Sequence, residues 1–232
     1  STLALDIARS AAIHHQMTTV FFSLEMSRTE LAMRILSAEG KISMGRLKKG
    51  DLDTEGWTNL ATLQGRIDSA PLFIDDSPNM TLMEIRAKCR RLKQRNDLKL
   101  VVLDYLQLMS SGKKVESRQQ EVSEFSRSLK LLAKELDVPV IALSQLNRGS
   151  EQRTDKRPMV SDLRESGSIE QDADMVILLH REDMYNPDSE RVGEADMIIA
   201  KHRGGPTRTI PLAFSGKYSR FNNMANEAPP QY

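Results

Sequence analysis

The stretch that most constrains the fold of this chain is residues 98–110, with the sequence LKLVVLDYLQLMS. Its apolar run, residues 100–103, leads directly into a single carboxylate, Asp104. A short, unbroken run that is rich in β-branched residues is typical of a strand buried on both faces, as in a parallel sheet. Open α/β sheets bind ligands at the carboxyl ends of their strands, so we expect Asp104 to stand where such a sheet holds its substrate.

The same pattern, an apolar run followed by an acid, is how nucleotide-hydrolysing sheets hold Mg²⁺, usually through water. Taken alone it is also typical of an aspartate that starts a turn. Residues 19–24 form a second buried-strand candidate that ends at Glu25. Ser27 and Glu30 have the spacing of a capping box for the next helix, which leaves Glu25 free at the strand end. A carboxylate there can orient and deprotonate a water, or can simply be a solvated turn residue.

The remaining pattern alternates strands with helices and then changes to consecutive strands. We predict a helix over residues 2–17, further helices opened by Thr81 and Ser117, strands over 72–74, 138–143 and 175–179, a glycine-containing turn over 164–168, a hairpin of 194–202 and 207–214, and an edge strand over 220–224. This order predicts an α/β fold, a mostly parallel sheet flanked by helices, with a C-terminal antiparallel hairpin. We expect one domain over residues 1–224 and a disordered tail over 225–232.

Composition excludes several classes of protein. The net charge is +1, so any nucleic-acid site must be a local patch. The single Cys89 rules out an internal disulfide framework and fits a reducing cytosol. No stretch has the length of a membrane span, and four His without close His or Cys partners argue against a zinc site.

Several separate motifs occur in one order along the chain. They are SLEM (residues 23–26), VVLDYLQLM (101–109), ALSQLNR (142–148), DLRESGSIEQDADMV (162–176) and KHRGGP (201–206). Together they resemble the C-terminal motor domain of the DnaB-type replicative DNA helicases, a RecA-like P-loop NTPase fold, from residue 1 to about 224. The resemblance implies ATP and Mg²⁺ as cofactors and a homohexameric ring that moves 5′→3′ on single-stranded DNA. It further implies a primase and a helicase loader as partners, no membrane, and a cytoplasmic location at the replication fork of the nucleoid.

The resemblance also implies roles for residues of the nucleotide site. Asp104 is similar to the Walker B carboxylate that holds Mg²⁺ through water, and Glu25 to the glutamate that activates the hydrolytic water. Gln145 is similar to the residue that senses the γ-phosphate. Lys201 and Arg203 resemble the pair that reaches the neighbouring subunit's nucleotide, with Arg203 as the arginine finger. Because they are two apart on a predicted strand, both should point to one face.

Two further sets of residues follow from the same resemblance. Arg164, Glu165 and Gly167 match the loop that grips the phosphates of single-stranded DNA, a contact that is blind to base sequence. Ser1 and Thr2 match the nucleotide-binding end of the P-loop, with Ser1 as the Ser/Thr that binds Mg²⁺.

The chain departs from the family at its start. It begins at the final position of the motif G-x-x-x-x-G-K-[ST], without the glycine loop, its lysine and the strand before it. We therefore expect poor nucleotide affinity and no ATP hydrolysis from this chain alone. One hypothesis is that an intein interrupts the gene here, with Ser1 as the splicing nucleophile; the alternative is a shortened sequence.

Two rival functions remain open at the level of the sequence. A RecA-like recombination or repair ATPase would share the acids at strand ends, but should not carry DYLQL together with DLRESGSIEQDAD. A nucleotide-independent module for binding DNA or a partner would keep the DNA loop and lack hydrolysis. Binding of nucleotide would count against the second rival.

Overall fold

Two four-stranded sheets form the framework of the chain. In this computed structural model, residues 1–111 and 117–224 are described, without the side chains of Arg148, Ser150 and residues 164–166. The first sheet is parallel with the strand order β2-β1-β3-β4, and the second is antiparallel with the order β5-β6-β7-β8. The predicted tail over 225–232 lies outside the described residues.

The strands are β1 (Thr19–Ser23), β2 (Leu72–Asp75), β3 (Leu100–Asp104), β4 (Val140–Ala142), β5 (Met175–His180), β6 (Glu194–His202), β7 (Arg208–Ser215) and β8 (Arg220–Asn223). The α-helices are α1 (Thr2–Arg9), α2 (Arg28–Gly40), α3 (Met44–Lys49), α4 (Thr54–Asp68), α5 (Leu82–Asn96), α6 (Arg118–Leu136) and α7 (Gly167–Asp172). A π-helical turn, Ser10–His14, continues α1, and short 3₁₀ helices cover Leu106–Leu108, Arg148–Gln152, Val160–Ser166, Glu182–Met184 and Gly216–Tyr218.

Side-chain caps start the helices that follow the parallel strands. The hydroxyl of Ser27 accepts the Glu30 amide at the start of α2, and the hydroxyl of Thr81 accepts the Glu84 amide at the start of α5. Glu84 also accepts the backbone N–H of Thr81, which completes a capping box. These caps satisfy amides that have no partner inside the helix, so each helix begins at a residue that the sequence predicts.

The central strands β1 and β3 are buried along their whole length, as their apolar runs predict. Phe22 and Leu103 face one side of the sheet, in a core that includes Phe125 of α6. Phe21 and Val102 face the other side, in a core that includes residues of α1 and α2. Helices therefore cover both faces of the parallel sheet, and only the strand ends remain for chemistry.

Helix α1 connects the parallel sheet to the antiparallel one. Its Asp6 accepts the backbone N–H of Phe221 in β8 at 2.7 Å, and Arg9 pairs with both Asp6 and Glu39 of α2. Burial raises the pKa of Asp6, against the lowering effect of the Phe221 amide and of Arg9. The C-terminal sheet is thus fixed to the first one through a buried charged cluster.

The fold class predicted from the sequence is confirmed, and two local expectations are wrong. The helix over 2–17 is α-helical only to Arg9, and the π-helical turn after it ends before Gln16, whose φ is 53°. The predicted hairpin is present, and the predicted strands over 175–179 and 220–224 flank it as β5 and β8 in a four-stranded sheet. The turn over 164–168 is instead the end of a 3₁₀ helix followed by α7, and Gly167 has the right-handed φ of −53°, which other residues can adopt.

Within residues 1–111 and 117–224, no helix has both the length and the apolar character needed to cross a membrane.

Candidate functional site

The carboxyl ends of three neighbouring parallel strands define the candidate site. Ser23 at the end of β1 is paired with Asp104 at the end of β3, and the Leu24 amide donates to the Asp104 carbonyl at 2.8 Å. On the other side of β3, the Leu143 amide donates to the Leu103 carbonyl at 2.9 Å. The polar residues that follow β1, β3 and β4 are therefore held along one edge of the sheet, as the sequence predicts.

Asp104 is a buried carboxylate with an unused oxygen. The residue is 1% exposed, and its Oδ2 atom has no hydrogen-bond partner among the described residues. A buried anionic oxygen without a partner is costly, because it has lost its water and gained nothing in exchange. Such an atom fits a hard cation or its bound water, and this is the chemistry that Mg²⁺ requires.

Glu25 lies in a turn that a buried serine closes. The Ser23 hydroxyl donates to the Met26 carbonyl at 2.6 Å and accepts the Met26 amide at 3.1 Å. This bonding folds the chain sharply after β1 and leaves Glu25 exposed at the edge of the sheet, two residues beyond Ser23, which is paired with Asp104. An exposed carboxylate at this position is available to accept a proton from water.

Gln145 is also exposed, three residues beyond the end of β4. Its backbone is held by the side chain of Gln107, whose Oε1 accepts the Gln145 amide at 3.2 Å. The Nε2 of Gln107 donates to the Ser144 hydroxyl at 2.9 Å. Gln107 belongs to the DYLQL motif, and the local sequence pattern does not indicate its contact with Gln145, which joins the segments that follow β3 and β4.

The acids that follow β2 have structural partners. Asp75 accepts hydrogen bonds from Lys88 and Ser77. Burial raises the pKa of Asp75, but these bonds lower it by more, so the pKa lies below its usual value. Asp76 accepts the backbone N–H of Arg28 at 2.7 Å, which lowers the pKa of that carboxyl. The acids that remain at this edge for chemistry are therefore those of β1 and β3.

Lys201 and Arg203 lie on the antiparallel sheet, at the end of β6. Lys201 donates to the carbonyl of Glu170, and the Arg203 guanidinium donates to the carbonyl of Gln171 at 2.8 Å. The two side chains reach successive carbonyls of α7, which confirms that they point the same way. Arg203 lies one residue beyond the strand rather than on it.

The predicted DNA residues lie where the 3₁₀ helix Val160–Ser166 meets α7. The side chains of Arg164 and Glu165 are outside what the structure describes. Apart from its chain neighbours and its own helix backbone, a methyl group placed on Gly167 would meet no described atom within 4 Å. Two residues after Gln145, the Asn147 amide donates to the carbonyl of Asp162, in the 3₁₀ helix that precedes Gly167, at 3.0 Å.

Ser1 and Thr2 are at the start of α1. Ser1 is exposed and its carbonyl accepts the Leu5 amide at 2.9 Å, while Thr2 is the first residue of the helix. Their helix packs on the face of the sheet that contains Phe21 and Val102. The structure thus places them at the N-terminus of a helix that lies against β1 and β3.

A parallel sheet with these residues at its carboxyl edge, followed by an antiparallel extension, defines the class of RecA-like ATPase domains. The chain is similar to the solved structure entitled "ATPase Domain of G40P", with a TM-score of 0.92 and 41% identity over 96% of this chain and 80% of that one. A structure of a DnaB-like replicative helicase, described with its interactions with primase, also gives a TM-score of 0.92 at 41% identity, over 97% of this chain and 54% of that one.

Within this class, the chain can be assigned to one family. The model of the DnaB-like helicase C terminal domain matches residues 1–223, so the chain belongs to that family. It is 70% identical to the replicative DNA helicase DnaB of Leifsonia xyli subsp. xyli and 54% identical to that of Geobacillus stearothermophilus, over 97% of this chain in both cases. It covers 49% and 50% of those two proteins, so the chain spans about half the length of these relatives.

The unused oxygen of Asp104 leads to a prediction about stability. Without nucleotide or divalent cation, Asp104→Asn should raise the melting temperature of the domain by about 2–4 °C, because it removes a buried charge worth about 1 kcal/mol of unfolding free energy. Thermal unfolding in EDTA measures this. In the whole protein with saturating Mg²⁺ and nucleotide the order should reverse, because the variant loses the ligand's stabilisation. A lower melting temperature in EDTA would show that the Asp104 charge already has a partner.

Proposed function

We propose that this chain is the motor part of a replicative DNA helicase, in which ATP hydrolysis drives 5′→3′ movement on single-stranded DNA and the unwinding of duplex. The observation that carries the proposal is the shared edge that holds Glu25, Asp104 and Gln145, in a chain of the DnaB-like family. The activity belongs to the whole protein, since the relatives are about twice as long as this chain.

Asp104 and Ser1 are the residues that would hold Mg²⁺, and Ser1 and Thr2 would lie against the phosphates of ATP. The buried, unpartnered oxygen of Asp104 supports this role. When bound, the cation would neutralise the negative charge that develops on the phosphates. Glu25 accepts a proton from the water that attacks the γ-phosphorus, and the bond to the β-phosphate oxygen breaks to give ADP and phosphate. Gln145 donates its side-chain amide to the γ-phosphate and so distinguishes ATP from ADP.

Lys201 and Arg203 act on the nucleotide of a neighbouring subunit in a homohexamer. Two observations support this: Lys201 is in β6 and Arg203 directly follows that strand, and Arg203 is exposed with its guanidinium bonded to α7 at the surface. A guanidinium delivered by a neighbour makes hydrolysis depend on assembly, since it supplies charge only when the ring is closed.

Arg164, Glu165 and Gly167 contact the phosphates of single-stranded DNA. The space beside Gly167 and the bond from the Asn147 amide to the Asp162 carbonyl support this role, because that bond ties the 3₁₀ helix before Gly167 to the segment that follows Gln145. Contacts with phosphate rather than with bases suit a motor that moves over any sequence.

The whole protein would work with a primase and a helicase loader at the replication fork in the cytoplasm. Support for the primase comes from the similar helicase whose structure was described with its primase interactions.

The decisive experiment uses the whole protein. Phosphate release from ATP is measured with and without single-stranded DNA, and unwinding is compared on forks with a free 5′ or a free 3′ tail. We expect DNA-stimulated hydrolysis and unwinding that requires the 5′ tail. A protein that assembles and binds DNA but hydrolyses no ATP would instead be a nucleotide-independent binding module.

A further inference from the structure

We propose that Gln107 is a positioning residue for ATP hydrolysis, which acts by fixing the backbone of Gln145. This inference rests on the proposed function, because it assigns Gln107 a role through the γ-phosphate contact of Gln145. Gln107 itself need not touch the nucleotide.

The amide of Gln107 makes three bonds to the segment that leaves β4. Its Oε1 accepts the Gln145 amide at 3.2 Å, and its Nε2 donates to the Ser144 hydroxyl at 2.9 Å and to the Gln145 carbonyl at 3.5 Å. A planar amide that donates at one end and accepts at the other fixes the orientation of the peptide between Ser144 and Gln145. The exposed side chain of Gln145 then leaves the edge in one direction instead of sampling several.

Gln107 can do this because its own backbone is fixed on two sides. The preceding amide, that of Leu106, donates to the Leu143 carbonyl at 2.9 Å, and Leu106 is buried. The carbonyl of Gln107 accepts the Arg118 guanidinium at 2.6 Å, and Arg118 in turn pairs with Glu121 of α6. The side chain that holds Gln145 is thus anchored in β3, β4 and α6 together.

The same helix also reaches the proposed DNA residues. The Ser168 hydroxyl of α7 donates to the Ser123 hydroxyl of α6 at 2.7 Å, one residue beyond Gly167. Gln107 therefore lies between the segment that carries Gln145 and helix α6, which contacts α7. The proposed function requires the nucleotide residues and the DNA residues at these two places to respond to each other. Its loss should reduce the rate of hydrolysis and also the stimulation by DNA, while leaving the affinity for ADP, which has no γ-phosphate, unchanged.

The test compares variants of the whole protein in ATP hydrolysis. Gln107→Met keeps the length and volume of the side chain and removes all three of these hydrogen bonds. We expect kcat to fall about 10- to 100-fold, the range that a misplaced catalytic group produces, with the ADP dissociation constant unchanged. Gln107→Glu keeps an oxygen for the Gln145 amide and lets the Ser144 hydroxyl donate instead, so it should restore most of kcat. Gln119→Met, at an exposed glutamine of α6, is the matched control and should match the unmodified protein.

A double-mutant comparison separates the possible outcomes. If Gln107 acts through Gln145, adding Gln107→Met to Gln145→Ala should lower kcat no further than Gln145→Ala alone. Multiplied effects, or a loss of ADP affinity together with kcat, would overturn the positioning role. If Gln145→Ala is impaired and Gln107→Met is not, the positioning role fails and the proposed function stands. If Gln145→Ala is fully active, the γ-phosphate role fails and the inference fails with it.

Discussion

Arg203→Ala should reduce DNA-stimulated ATP hydrolysis by the whole protein about 10³- to 10⁵-fold, the range known for an arginine supplied across a subunit boundary. The fold should survive, because Arg203 is exposed and its bonds to Gln171 and Asp174 are at the surface, where such pairs contribute about 0–1 kcal/mol. Phosphate release measures the rate, and sedimentation shows that the ring still assembles. Arg95→Ala, at an exposed arginine near the end of α5, is the matched control and should retain full activity.

The same variant distinguishes action across the interface from action within one subunit. When Arg203→Ala and Glu25→Gln proteins are mixed and allowed to exchange subunits, about a quarter of the interfaces in a random ring pair an intact Glu25 with an intact Arg203 from the neighbour. We expect the mixture to hydrolyse ATP faster than either variant alone. If the mixture stays as inactive as its components although mixed rings form, Arg203 does not complete its neighbour's site.

Glu25→Gln should lower kcat about 10²- to 10⁴-fold, the usual contribution of a general base. The substitution keeps the shape of the side chain and removes its ability to accept a proton at neutral pH. Because Glu25 is exposed and its turn is closed by Ser23 rather than by its own carboxylate, the fold and the affinity for ATP should be unchanged. Single-turnover hydrolysis and equilibrium nucleotide binding, measured side by side, check both halves of the prediction.

Glu55→Gln provides the matched control, since Glu55 is exposed in α4 and follows none of the strands of the parallel sheet. It should hydrolyse ATP at the unmodified rate. A Glu25→Gln protein that keeps full kcat would place the proton acceptor elsewhere. A protein that loses ATP affinity in proportion to its rate would show that Glu25 binds nucleotide and does not activate water.

Asp104 and Glu25 illustrate how one sheet edge gives two carboxylates different environments. Asp104 is the last residue of β3 and is buried, with one carboxylate oxygen that has no hydrogen-bond partner among the described residues. Glu25 is two residues beyond the end of β1, where the Ser23 turn returns it to solvent. The difference in exposure arises from the position of each acid relative to the end of its strand.

The sequence by itself determined which segments form the parallel sheet and where its polar residues lie. Unbroken apolar runs are stable only when they are buried on both faces of a sheet. In a parallel sheet the polar residues that follow these runs then lie at the same edge, so the location of Glu25, Asp104 and Gln145 could be predicted together. Local chemistry likewise fixed the helix starts at Ser27 and Thr81, because a cap depends on residues only three positions apart.

The tertiary structure alone decided which of those edge residues have partners. The acids after β2 resemble the other two in sequence, but Lys88 and the Arg28 amide bind them, and these partners come from other elements of the fold. The role of Gln107 was equally hidden, because its contact with Gln145 joins residues 38 positions apart. Hydrogen bonds between separate strand ends depend on how the elements pack in space, which local sequence patterns do not specify.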